Sequence, residues 1–92
     1  MTKSELIEVL SGKTGLPKTK AEELVNITFG AMSRALAAGH RVEIRGFGSF
    51  KVKTRGARIA RNPRTGERVD VPEKVVPYFK ASRELVKLVD SA

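Results

Sequence analysis

The chain has no cysteine, which removes disulfides, thiol nucleophiles and thiolate metal ligands together, and nothing in it points to an oxidising compartment. It has one histidine, His40, with no second histidine to share a metal or act beside a nucleophile, so His40 is read as a surface residue at a helix–strand junction. No apolar run approaches the roughly 18 residues of a membrane span. The N-terminal MTKSELIEVL is charged and lacks the apolar core of a signal peptide, so the chain is expected to be soluble, intracellular and unprocessed. Gly46-Phe47-Gly48 lacks the third glycine and the following helix of a dinucleotide loop. Glu22 and Glu23 are adjacent and therefore do not share a helix face as a carboxylate dyad. No enzymatic constellation survives: no catalytic residues, metal, cofactor or small-molecule substrate is expected.

What is present is charge, and it is concentrated. The 92 residues carry a net +8, and the segment Arg45–Arg68 (RGFGSFKVKTRGARIARNPRTGER) holds eight cations, Arg45, Lys51, Lys53, Arg55, Arg58, Arg61, Arg64 and Arg68, against the single acid Glu67. A balance of +7 in one segment, with near neutrality elsewhere, points to a polyanionic partner. The Asn62-Pro63-Arg64-Thr65-Gly66 stretch has turn chemistry, because Pro presets φ and Gly is free to take positive φ. The segment is therefore read as a basic β-hairpin. Pro63 alone reads as an ordinary turn residue.

Along the chain, Thr2 and Glu5 have capping-box spacing before Leu6, Ile7 and Leu10, which predicts a helix from Lys3 to Lys13 ended by Gly15. After Leu16-Pro17, the three- and four-residue steps through Ala21, Leu24, Val25, Thr28, Phe29, Met32, Ala35 and Leu36 predict a longer helix stopping near Gly39. Gly30 within it marks either close packing of another helix or a tolerated glycine. Val42 and Ile44 alternate with Arg41, Glu43 and Arg45 as a strand, and Gly46–Gly48 reverses the chain into Phe50, Val52 and Thr54. Ser49, Lys51, Lys53 and Arg55 then form a basic face. The limbs 57–61 and 67–71 hold too few apolar residues to bury a face and should project into solvent, mobile until bound. Val75, Val76, Tyr78 and Phe79 return as an apolar layer, and Ser82 caps a third helix with Leu85, Leu88 and Val89 as its buried stripe. The expected class is α+β, in one domain over residues 1–92: a helical part with the first strand (1–45), sheet and arm (46–80), and a C-terminal helix (81–92). A chain this size buries only about 60 to 65% of its unfolded surface, and phenylalanines lie on or beside short strands, so a partner subunit or a monomeric core must cover them.

The runs IRGFGSF (Ile44–Phe50), RNPRTGE (Arg61–Glu67) and VPYFKAS (Val76–Ser82), behind two helices, resemble the bacterial HU and integration host factor family across essentially the whole chain. The resemblance implies an intertwined dimer with a helical base, a saddle of short three-stranded sheets and two β-ribbon arms. It also implies minor-groove binding with apolar wedges, a known property of that family. It places Pro63 at the intercalating position and Arg55, Arg58, Arg61, Arg64 and Arg68 on the arm. Phe29, Phe47, Phe50 and Phe79 fall in the dimer core. Lys3, Arg45, Gly46, Gly48, Ser49, Lys51, Lys53, Asn62, Lys80 and Arg83 complete the expected DNA-contact set. Ala60, where a glycine is common, and Pro17, where Ser or Thr often caps the helix, depart from the pattern without removing a key position.

The expectation is a cytoplasmic, nucleoid-associated homodimer, with a heterodimer with a paralogue as the alternative, that bends duplex DNA with little sequence specificity in the manner of HU. The rival is a site-selective bender of the integration host factor type. Structured RNA is kept as a second candidate partner, while the absence of Phe, Tyr or Trp between Arg55 and Pro77 argues against single-strand recognition. A membrane surface is disfavoured because the arm lacks large apolar anchors.

Overall fold

A computed structural model describes residues 1–91. Ala92, the last residue of the expected C-terminal segment, lies outside the described residues. The chain divides into two compact units, Met1–Ala35 and Leu36 onward.

The first unit holds α1 (Lys3–Thr14) and most of α2 (Lys18–Ala37). Thr2 is extended and its hydroxyl oxygen accepts from the Glu5 amide at 3.2 Å, while the hydroxyl donates to the Glu5 carboxylate at 3.3 Å. One orphan amide of the first turn is thereby satisfied. Gly15 ends α1 in the left-handed region, φ 74°, and its amide donates to the Ser11 carbonyl. That conformation favours glycine over any residue with a Cβ. At the start of α2 the Pro17 carbonyl accepts from both the Lys20 and Ala21 amides at 3.0 Å, so the backbone engages the first turn where a side-chain cap is missing. Lys18 pairs with Glu8 across the two helices, both largely exposed and so of small consequence for stability.

Among the described residues, Ala21 and Val25 are the only fully buried apolar side chains. Leu24, Ile27 and Phe29 of the same helix remain 44%, 58% and 48% exposed. Of the two readings of Gly30, close packing of another helix is not seen among the described residues. A Cβ there would meet only the Arg34 guanidinium of its own helix, at 3.3 Å.

The second unit contains β1 (Val42–Ile44), β2 (Gly48–Arg55), β3 (Arg58–Arg61), β4 (Arg68–Val71), β5 (Lys74–Ala81) and α3 (Arg83–Asp90). β1, β2 and β5 form an antiparallel sheet in that order, and β3 pairs with β4 in a second, two-stranded sheet. Between β1 and β2 the Phe47 amide donates to the Ile44 carbonyl, and Gly46 takes φ 81°. Gly48 is buried for a different reason. A Cβ there would stand 2.5 Å from the Lys80 carbonyl oxygen and 2.6 Å from the Phe79 ring, so only glycine lets β2 approach β5 this closely.

Phe50 and Phe79 face each other across the ladder with ring centroids 4.6 Å apart, and Phe47 lies 5.4 Å from Phe79. The cluster is open on one side, Phe47 and Phe79 being 44% and 38% exposed. Ser82 caps α3 by accepting from the Leu85 amide, and its own amide donates to the Phe47 carbonyl at 2.9 Å. The expected buried stripe of α3 is corrected here. Leu85 is half-buried, but Leu88 and Val89 are 68% and 69% exposed.

Candidate nucleic-acid interface

Strand register decides which charges share a face. In β2, Ser49, Lys51, Lys53 and Arg55 pair directly with Lys80, Tyr78, Val76 and Lys74 of β5, and directly paired residues of an antiparallel ladder point to the same side. Lys51, Lys53, Arg55, Lys74 and Lys80 therefore lie on one face of the sheet. The opposite face carries Phe50, Val52 and Thr54 against Phe79, Pro77 and Val75. Among the paired strand residues of this sheet, the one acid on the basic side is Glu43 of β1, opposite Ser49, and it pairs with Arg41 at 3.1 Å. Among the described residues none of the five cations forms an ion pair. Lys53 instead sits over the Tyr78 ring, its Nζ 5.0 Å from the centroid.

The β2–β5 ladder ends at Arg55 and Lys74, and the β3–β4 ladder begins at Arg58 and Val71. Two residues on each limb separate them, so the register passes the interruption without slip. In the arm, Arg61 lies directly opposite Arg68, and Ile59 opposite Asp70. Like charges facing across a ladder oppose pairing, and a polyanion would relieve them.

The tip is closed by its own turn chemistry. The Asn62 amide donates to the Glu67 carbonyl, the Gly66 amide to the Asn62 carbonyl, and the Arg64 amide to Asn62 Oδ1 at 2.9 Å. Gly66 takes φ 74°. Pro63, which has no N–H to satisfy, and Arg64 are left exposed at the end of the ribbon.

A second feature gathers Arg45, Gly46, Gly48, Ser49, Lys80 and Arg83 around an open groove of about 600 Å³ at the capped end of α3. These are all the expected body contacts except Lys3, Lys51 and Lys53. Lys3 starts α1 in the other unit, and Phe29, expected with the core aromatics, also belongs there. Lys74 and Tyr78 were missed by sequence reasoning. The run Val75-Val76-Pro77-Tyr78-Phe79 looks apolar throughout, yet a period-two count from Lys74 to Lys80 would have placed Val76 and Tyr78 between two lysines on one face.

The family model described as "Bacterial DNA-binding protein" matches residues 1–90. The integration host factor subunit beta of Neisseria meningitidis serogroup C is 53% identical over 98 residues, spanning 100% of this chain and 94% of that protein. That of Nitrosomonas eutropha is 50% identical over 93 residues, spanning 100% and 89%. An Anabaena HU–DNA cocrystal structure superposes with a TM-score of 0.92 at 32% identity, covering 100% of both chains. The α+β architecture is thus of the HU and integration host factor type. The two relatives named integration host factor subunit beta favour the integration host factor alternative over the HU-like reading that the resemblance implied.

Proposed function

The chain belongs to the family of bacterial DNA-binding proteins that includes integration host factor and HU, and from that premise we propose that it is an architectural protein that binds and bends duplex DNA. One observation carries the reading: five cations without ion pairs share one sheet face, and the arm continues from it in unbroken register to an exposed Pro63. The sheet face and the Arg45–Arg83 groove would hold phosphates, and the arm arginines would enter the minor groove. Guanidinium suits that task because it is weakly hydrated and planar. Pro63 is the wedge, a φ-locked apolar ring that loses little entropy on insertion between base steps.

The working unit is a dimer, formed with a second copy or with a paralogous chain. The half-exposed Phe47 and Phe79, the bare Leu88 and Val89, and Phe29 on α2 are the surfaces it would cover. In this reading residues 1–45 serve dimerisation, 46–80 the grip on DNA and the C-terminal helix its closure, in a protein of the bacterial nucleoid. Relatives named integration host factor favour selection of particular sites, through groove shape and deformability, over indifferent binding.

Competition gel shifts test the function. Linear duplex should be bound, and an integration-host-factor-type site should resist random competitor. Loss of the complex to equal masses of random duplex would return the reading to the HU type. Preference for structured RNA would overturn it.

A further inference from the structure

β5 is an edge strand: it pairs with β2 on one side and, among the described residues, with no strand on the other. Which of its backbone groups face that free edge follows from one bond. The Ser82 amide donates to the Phe47 carbonyl at 2.9 Å, which extends the β2–β5 register by one rung and makes that rung a hydrogen-bonded one. Bonded and non-bonded rungs alternate in an antiparallel ladder. Lys80, Tyr78, Val76 and Lys74 therefore bond to β2, whereas Ala81, Phe79, Pro77 and Val75 turn their backbone groups outward. Pro77, which has no N–H, stands opposite Val52 on a rung where the ladder uses none. One position earlier or later, a proline would remove a bond between β2 and β5.

The run from Lys74 to Lys80, KVVPYFK, is also complementary to itself. Laid antiparallel against a second copy with Pro77 opposite Pro77, it brings Val75 opposite Phe79, Val76 opposite Tyr78 and Lys74 opposite Lys80. β-Branched and aromatic residues facing each other favour such pairing, and the lysine rungs oppose it. Val75, Tyr78 and Phe79 are all exposed. The outward-facing residues are the ones this two-fold register would bond, so the two prolines meet on its central rung. Both hydrogen bonds of that rung would be missing, and both carbonyls would lack a donor.

We infer that the outer edge of β5 is a surface fitted to a second copy of itself, and that Pro77 keeps it closed, with Lys74 and Lys80 as flanking charges. The pairing would run through backbone edges, apart from the aromatic face assigned above to the dimer. The two guards differ in what weakens them. Salt screens the lysine rungs and a bound polyanion neutralises them, while the missing N–H is indifferent to both. Pro77 is the guard that persists where the charges no longer repel.

The test is sedimentation velocity of the parent, of Pro77→Val, and of Pro77→Val combined with Val75→Pro. Each is run at about 0.1 and about 1 M salt, between which the screening length falls from about 10 to about 3 Å. The parent should keep one size in both. Pro77→Val should form larger species, more of them at the higher salt. The double variant, whose proline again faces outward on a non-bonded rung, should return to the parent's size. Pro77→Val at the parent's size in both salts overturns the guard, and larger species that persist in the double variant overturn its assignment to the missing N–H. Amide exchange in the parent serves even if a variant fails to fold. The Val75 and Phe79 amides should lack the protection of those of Val76, Tyr78 and Lys80, which bond to β2, and equal protection of the two sets would overturn the free edge itself.

Discussion

The two ladders of the long hairpin share a register and differ in almost everything else. The root, β2 with β5, has an apolar face on which Phe50 opposes Phe79 and a third strand beside it. The arm, β3 with β4, has no third strand, leaves Ile59 and Val69 58% and 46% exposed, and ends on Arg61 opposite Arg68. Cross-strand pairs are worth about 0.2 to 1 kcal/mol each, favourable for the aromatic rung and unfavourable for the arginine rung. The root ladder is longer and is bonded on both sides of β2, and the side chains add to that difference. The root is held by what it buries, and the arm by its turn and by whatever neutralises it.

The largest expected effects lie at the root. Phe47→Ala and Phe79→Ala should each lower stability by about 3 to 5 kcal/mol if the dimer buries the cluster, with dimerisation abolished in parallel. Chemical unfolding at several protein concentrations and light scattering at micromolar protein check this. A folded monomer of native cooperativity would break the claim that the aromatic face belongs to an interface. Gly48→Ala should cost about 1 to 3 kcal/mol or more, since the new methyl must displace the Lys80 carbonyl, which is backbone and cannot swing aside.

The arm should respond in binding and hardly in stability. Affinity resting on six to ten phosphate contacts falls by about 10³ to 10⁵ between 50 and 200 mM salt, and Arg58→Ala should remove about one unit of that slope per protomer while leaving the melting temperature unchanged. Asn62→Ala removes the hydrogen bond to the Arg64 amide. Its expected cost is about 0.5 to 1 kcal/mol, confined to the tip and visible as faster amide exchange at Arg64 and Gly66. Global melting altered by Asn62→Ala would mean that arm and root form one cooperative unit.

The same contrast explains what was legible in the sequence. Local chemistry read correctly: Thr2 and Ser82 as caps, Gly15 as a helix end, and Asn62–Gly66 as the turn all depend on residues within a few positions of each other. The sheet's basic face was half legible, because β2 alternates cleanly while β5 carries apolar residues on both faces, which hid Lys74 and Tyr78 until register assigned them. The burial of α3 was misread for a different reason. Leu88 and Val89 have the spacing of a buried stripe, but helical periodicity says that a face is apolar, not which chain covers it.

The wedge is the point on which the account turns, and DNA bend measured by energy transfer between dyes at the two ends of a linear duplex tests it most directly. Pro63→Ala leaves every charge in place, so affinity for nicked or already kinked duplex should stay close to the parent's. At saturation the parent should raise transfer on linear duplex, and Pro63→Ala should raise it much less. A mutant that bends linear duplex as strongly as the parent would contradict the account and leave Pro63 as only the residue that turns the arm.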